Sequence, residues 1–88
     1  MIQQKTHIGV EGGLHGKVAS ALVELASKCK SEIHIQKEHA TINAKSIIGV
    51  MILNVKEGDE VLVQIDGIDE AKAMSSILSL LSGENTAN

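Results

Sequence analysis

Ile2, Thr6, Ile8 and Val10 fall on one face of a period of two, with Lys5 and His7 on the other. The opening segment therefore predicts a half-buried strand, ended by Gly12-Gly13. Val18, Ala21, Leu22, Leu25, Ala26 and Cys29 then recur at helical spacing, while Lys17, Glu24 and Lys28 lie off that stripe. This predicts an amphipathic helix over about residues 16–28. Ile33 and Ile35 alternate with His34 and Gln36, and Ala40 and Ile42 with Thr41 and Asn43. So short a separation predicts a hairpin. Ser46 precedes the apolar run Ile47-Ile48-Gly49-Val50-Met51-Ile52-Leu53, as an N-cap precedes a short helix; Gly49 weakens that helix and leaves a buried strand as the other reading. Val61, Val63 and Ile65 alternate with Leu62 and Gln64 as a fourth strand, closed by Asp66-Gly67. Asp69 is placed to cap a last helix with Ala73, Met74, Ile77, Leu78 and Leu81 on one face and Gly83 at its end.

Strand, helix, strand, strand, helix, strand, helix is an α+β order. A two-layer sandwich, helices on one face of an antiparallel sheet, buries every apolar stripe. Its other face is left to water, which suits Lys5, His7, His34, Gln36 and Gln64. The expected domain spans residues 1–83, with 84–88 as a polar, frayed tail.

Composition narrows the function more than the fold. The 88 residues leave room for one domain, whose core must come from aliphatic side chains, because Phe, Tyr and Trp are absent. That absence removes base-stacking platforms, and a net charge of −3 gives no footprint for nucleic acid or an anionic membrane. Cys29 is alone and reads as a small core residue. The N-terminus has no signal-type apolar run, so a cytoplasmic location is expected. His7 and His34 share the water face and are candidates for neighbours. No carboxylate or cysteine joins them at ligand spacing, so neither a metal nor a cofactor is expected.

The chemistry points to Gly12-Gly13-Leu14-His15-Gly16-Lys17. The first amides of a helix have no intrahelical partner and carry the positive end of its dipole. A phosphate on His15 would meet the amides of Gly16 and Lys17 and the Lys17 ammonium. Lys45 reads equally well as a phosphate partner or a solubilising charge. Residues 47–53 are apolar at every position but Gly49, and a short helix packed on one side leaves some exposed, Ile48 and Ile52 foremost. Such a patch marks a partner site.

Gly13-Leu14-His15 before a helix, and Asn43-Ala44-Lys45-Ser46-Ile47-Ile48-Gly49-Val50-Met51, resemble the family of HPr, the histidine-containing phosphocarrier of the bacterial phosphoenolpyruvate-dependent sugar phosphotransferase system. The resemblance covers about residues 1–82. It implies an open-faced sandwich with sheet order 1-4-2-3 and three helices on one side. It also implies that His15 takes a phosphoryl group on Nδ1 from Enzyme I and passes it to EIIA proteins. The protein would then be a stoichiometric, monomeric carrier and not an independent catalyst. In some bacteria the serine matching Ser46 is modified by an HPr kinase/phosphorylase, and the product binds a catabolite control transcription factor in carbon catabolite repression. Ile47, Ile48, Met51 and Ile52 would belong to the docking face. Where typical members read His-Ala-Arg-Pro-Ala, this chain reads His15-Gly16-Lys17-Val18-Ala19. Lysine keeps the charge but loses the planar fork, Val18 removes a proline suited to a first helical turn, and Gly16 loosens the helix start. The departures imply slower or differently partnered transfer, or a regulatory paralogue acting through Ser46.

Overall fold

Seven elements succeed one another in the computed structural model, which describes residues 1–83: β1 (Ile2–His7), α1 (Gly16–Lys28), β2 (Glu32–Lys37), β3 (Ala40–Asn43), α2 (Ile47–Leu53), β4 (Glu60–Asp66) and α3 (Glu70–Ser82). The predicted tail at 84–88 lies outside the described residues. The strands form one antiparallel sheet in the order β1-β4-β2-β3, with Ile2 opposite Ile65 and Ile33 opposite that same Ile65. The predicted α+β sandwich and its strand order are thus what the chain adopts. Alternation explains the layering: Ile33, Ile35, Val61, Val63 and Ile65 are buried under the helices, whereas His34, Gln36, Leu62 and Gln64 are only half-buried on the open face. Each fully buried Ile, Leu or Val contributes about 1.5–3 kcal/mol, so an aliphatic core suffices without aromatics.

The predicted helix at 47–53 forms, and the alternative strand reading is overturned. Ser46 caps it, its hydroxyl oxygen accepting from the Gly49 amide at 3.1 Å. Gly49 has a packing reason: a Cβ there would stand 3.3 Å from the Ile42 Cβ, so glycine lets α2 lie close on β3.

Three expectations need correction. The first strand stops at His7, before the glycine pair. Ile8 and Val10 are buried beyond the sheet, in a segment whose Gly9 amide donates to the Leu81 carbonyl at 2.8 Å. A Cβ on Gly9 would sit 2.5 Å from the Ser82 carbonyl oxygen, a close approach that pulls the chain out of the strand. In α1, Ala21 is exposed and Ala19 joins Leu22 and Ala26 in the core, so the apolar stripe is rotated from the predicted one. Asp69 occupies the N-cap position of α3 without bonding its own helix. Its carboxylate instead accepts from the Lys30 and Ser31 amides, each at 2.9 Å, and from the Ser31 hydroxyl. Two free amides at the exit of α1 outcompete those of α3, and Asp69 ties the two helices together.

Candidate functional site

Gly12 and Gly13 both have positive φ, 82° and 75°, a pair of left-handed steps that turns the chain sharply into α1. Gly13 is also pressed against the Val55 carbonyl, with no room for a side chain. Leu14 is fully buried, and its amide donates to that carbonyl at 3.0 Å. The turn is thereby anchored to the exit of α2, and the next residue, His15, is held exposed at the N-cap of α1.

Histidine is an unusual N-cap. Ser, Thr, Asp or Asn would accept a hydrogen bond from the first turn, and the His15 side chain makes none. The His15 carbonyl accepts from Val18 at 3.1 Å and Ala19 at 3.4 Å. Among the described residues, nothing accepts from the Gly16 and Lys17 amides. Two free donors, the positive end of a thirteen-residue helix and the exposed Lys17 side chain thus follow His15 within the first turn of α1. An anion there gains roughly 0.3–1 kcal/mol from the dipole alone. Val18 supplies an N–H that proline would lack, and it uses it on His15. Gly16, at φ 56° with open space around it, holds a left-handed step inside the first turn.

The second site lies at the far end of α2. The Leu14–Val55 bond puts the start of α1 beside the end of α2, and the Lys45 ammonium, donating to the Cys29 carbonyl at 3.0 Å, puts the end of α1 beside the start of α2. The two helices therefore run antiparallel. Ser46 stands about 10 Å, one α2 length, beyond the end nearer His15. Between them lies an apolar face: Ile47, Ile48, Met51 and Ile52 are 37, 67, 57 and 73% exposed, while Val50 and Leu53 point into the core. Spacing of one, four and five residues puts those four side chains on one side of the helix.

His7 and His34 do not meet. His7 pairs with Glu60 and His34 with Gln64, four positions apart along β4. Among the described residues, no three His, Cys, Asp or Glu side chains are grouped to hold a metal ion. Among them also, no helix is long and apolar enough to cross a membrane.

Residues 2–83 match the family described as the PTS HPr component phosphorylation site. The chain belongs to the HPr family. Phosphocarrier protein HPr of Neisseria meningitidis serogroup A is 35% identical over 83 residues, 94% of this chain and 93% of that protein. HPr of Thermoanaerobacter tengcongensis superposes with a TM-score of 0.93 at 33% identity, covering 100% of this chain and 99% of that one. The Bacillus subtilis catabolite repression protein Crh, solved as a domain-swapped dimer, gives a TM-score of 0.76 at 32% identity, over 94% of this chain and 95% of that one.

Sequence reading passed over Leu14 and Val55, which position His15 without touching its chemistry. The signal was present: each is a lone apolar residue in a polar loop, Gly13-Leu14-His15 and Asn54-Val55-Lys56.

Proposed function

We propose that this HPr-family protein relays a phosphoryl group from phospho-Enzyme I to EIIA proteins through His15. The observation that carries this reading is the exposed histidine at an N-cap with the Gly16 and Lys17 amides left unpaired. The Nδ1 lone pair forms the new P–N bond as the donor's bond to phosphorus breaks, and the next acceptor reverses the step. An exposed junction lets successive partners reach the same atom. Two amides and one ammonium stabilise the phosphohistidine without trapping it, as a relay intermediate requires. Ile47, Ile48, Met51 and Ile52 form the surface on which Enzyme I and the EIIA proteins dock, next to the histidine. The carrier acts as a monomer in the cytoplasm, without cofactor or metal, and its working unit is residues 1–83.

A second reading rests on Ser46, already an N-cap at the edge of the same patch. Phosphorylation there by an HPr kinase/phosphorylase adds charge at the favoured end of α2, and the product binds a catabolite control transcription factor. Similarity to Crh favours this regulatory role; retention of His15 with its free amides favours the relay.

Incubation with phosphoenolpyruvate and Enzyme I separates the two. Acid-labile phosphate is expected on the wild type and lost in His15→Ala, with His7, His34 and His39 variants labelled normally. Unchanged labelling of His15→Ala sinks the relay.

A further inference from the structure

At the pole opposite His15, α1 ends where α3 begins, joined by Asp69. Between them lies a groove of about 470 Å³. Leu25, Cys29, Ala73 and Ile68 give it an apolar floor and lip, and Lys28, Lys30 and Lys72 stand around it. It lies ten to fourteen residues along α1 from the histidine, about 15–21 Å at the helical rise. It is also on the α3 side of α1, away from the α2 patch.

Two features of this groove have no explanation in stability. Lys28 in the last turn of α1 suits that helix's dipole, but Lys72 sits in the first turn of α3, where a cation opposes it. None of the three ammonium groups has an ion-pair partner among the described residues, and all three lysines are exposed. Among the described residues the only acid lining the groove is Asp69, whose oxygens are taken by the Lys30 and Ser31 amides and the Ser31 hydroxyl. Ile68, at 89% exposure, is the most exposed large aliphatic among the described residues, and it stands on the groove lip. A protein of net charge −3 has thus put three of its eight basic residues around one apolar depression.

We propose that this groove is a second docking surface, which takes an acidic amphipathic segment of a partner protein. The segment's aliphatic side chains lie on Leu25, Ala73 and Ile68, and its carboxylates meet Lys28, Lys30 and Lys72. Apolar contact at the centre with charged contact at the rim gives affinity from the first and partner choice from the second. A depression of this size accepts two or three side chains and not a whole domain, so the occupant is a short helix or strap. Because the groove faces away from His15, its occupant leaves the histidine open to other proteins.

The test is a titration of 15N-labelled protein with a synthetic helical peptide carrying leucines on one face and glutamates beside them, followed by NMR. Saturable shifts are expected at residues 25–30 and 68–76, with 12–17 unmoved. The triple variant Lys28→Glu, Lys30→Glu, Lys72→Glu should weaken binding about tenfold or more, as should higher salt. Ile68→Ser, a change at an exposed position that spares the fold, should weaken it several-fold. Several results would overturn the proposal. Equal binding of a peptide with lysines for glutamates would remove charge recognition. Equal binding of a leucine-free acidic peptide, or of inorganic phosphate, would reduce the groove to an anion patch. Shifts centred on residues 47–52 would move docking to the α2 face, and groove shifts on concentrating the protein alone would make a second copy the occupant. None of these readouts depends on whether His15 accepts phosphate.

Discussion

The side chain that departs most consequentially from the family pattern is Lys17. Its own amide and that of Gly16 have no acceptor among the described residues, so on the proposed reading those backbone donors would meet a phosphate on His15 and the ammonium would add a single point charge. A guanidinium would add two parallel bonds. Lys17→Arg is therefore expected to raise the rate of His15 labelling by Enzyme I several-fold, and Lys17→Ala to lower it, with thermal stability unchanged because the side chain is exposed. Rapid-quench labelling and melting curves measure both. Val18→Pro would remove the amide that donates to the His15 carbonyl, so the valine is more than a lost helix-starter. At this scale the sequence was legible wherever a residue type has one use: a histidine after a glycine turn, a serine before an apolar run. Asp69 was misread because a carboxylate at an N-cap serves whichever amides lie nearest, and those of Lys30 and Ser31 come from a distant part of the chain.

Among the elements, α2 bears most directly on the proposed function. Its cap is a single hydroxyl accepting from Gly49, and its outward face is the apolar patch. Ser46→Asp keeps an oxygen acceptor in place and adds a negative charge at the favoured end. Denaturant unfolding should therefore show a change within about 1 kcal/mol, while Enzyme I labelling of His15 slows. Since Ser46 and His15 lie at opposite ends of the patch, the slowing should appear as weaker docking, a raised KM for the carrier, with turnover at saturation preserved. A Ser46→Asp protein labelled like the wild type at every concentration would show the two sites to be uncoupled. Six of the seven elements were readable from periodicity, α1 nearly to the residue, whereas α2 was read from its serine cap with a buried strand left open. What periodicity could not supply was the end of β1. Ile8 and Val10 continue the alternation, yet the close passage of Gly9 past Ser82, a contact spanning most of the chain, decides where the strand stops.

Considered whole, the aliphatic core is supplemented by carboxylates that join distant segments. Asp69, held below the ordinary carboxylate range by the Ser31 hydroxyl and the Lys30 amide, ties α1 to α3. Asp59, lowered by the Lys56 amide and by Lys37 at 3.0 Å, ties β4 to the end of β2. Glu70 is lowered by the Gly67 amide and then by the terminal ammonium. Each is more acidic folded than unfolded, so its stabilisation is complete above the unfolded carboxylate range, about pH 4, and is lost as pH falls below that range through the lower folded value. The melting temperature, followed by circular dichroism since the chain has no aromatic reporter, should fall as pH drops below about 4. In Asp69→Asn it should start lower and fall less steeply. Legibility ran out at this scale for the same reason throughout: which groups meet across the fold is written in the topology and not in local spacing. One such meeting bears on how the protein is made. The Leu81 carbonyl accepts from both Gly9 and Val10, so the turn that presents His15 is fastened at its root to the last turn of α3. Bonds so far apart in sequence close late, after the shorter loops. A ribosome therefore releases Leu81 sixty-six residues after the histidine whose turn it steadies. Until then the nascent chain carries the proposed phosphoryl acceptor without the fastening of its turn.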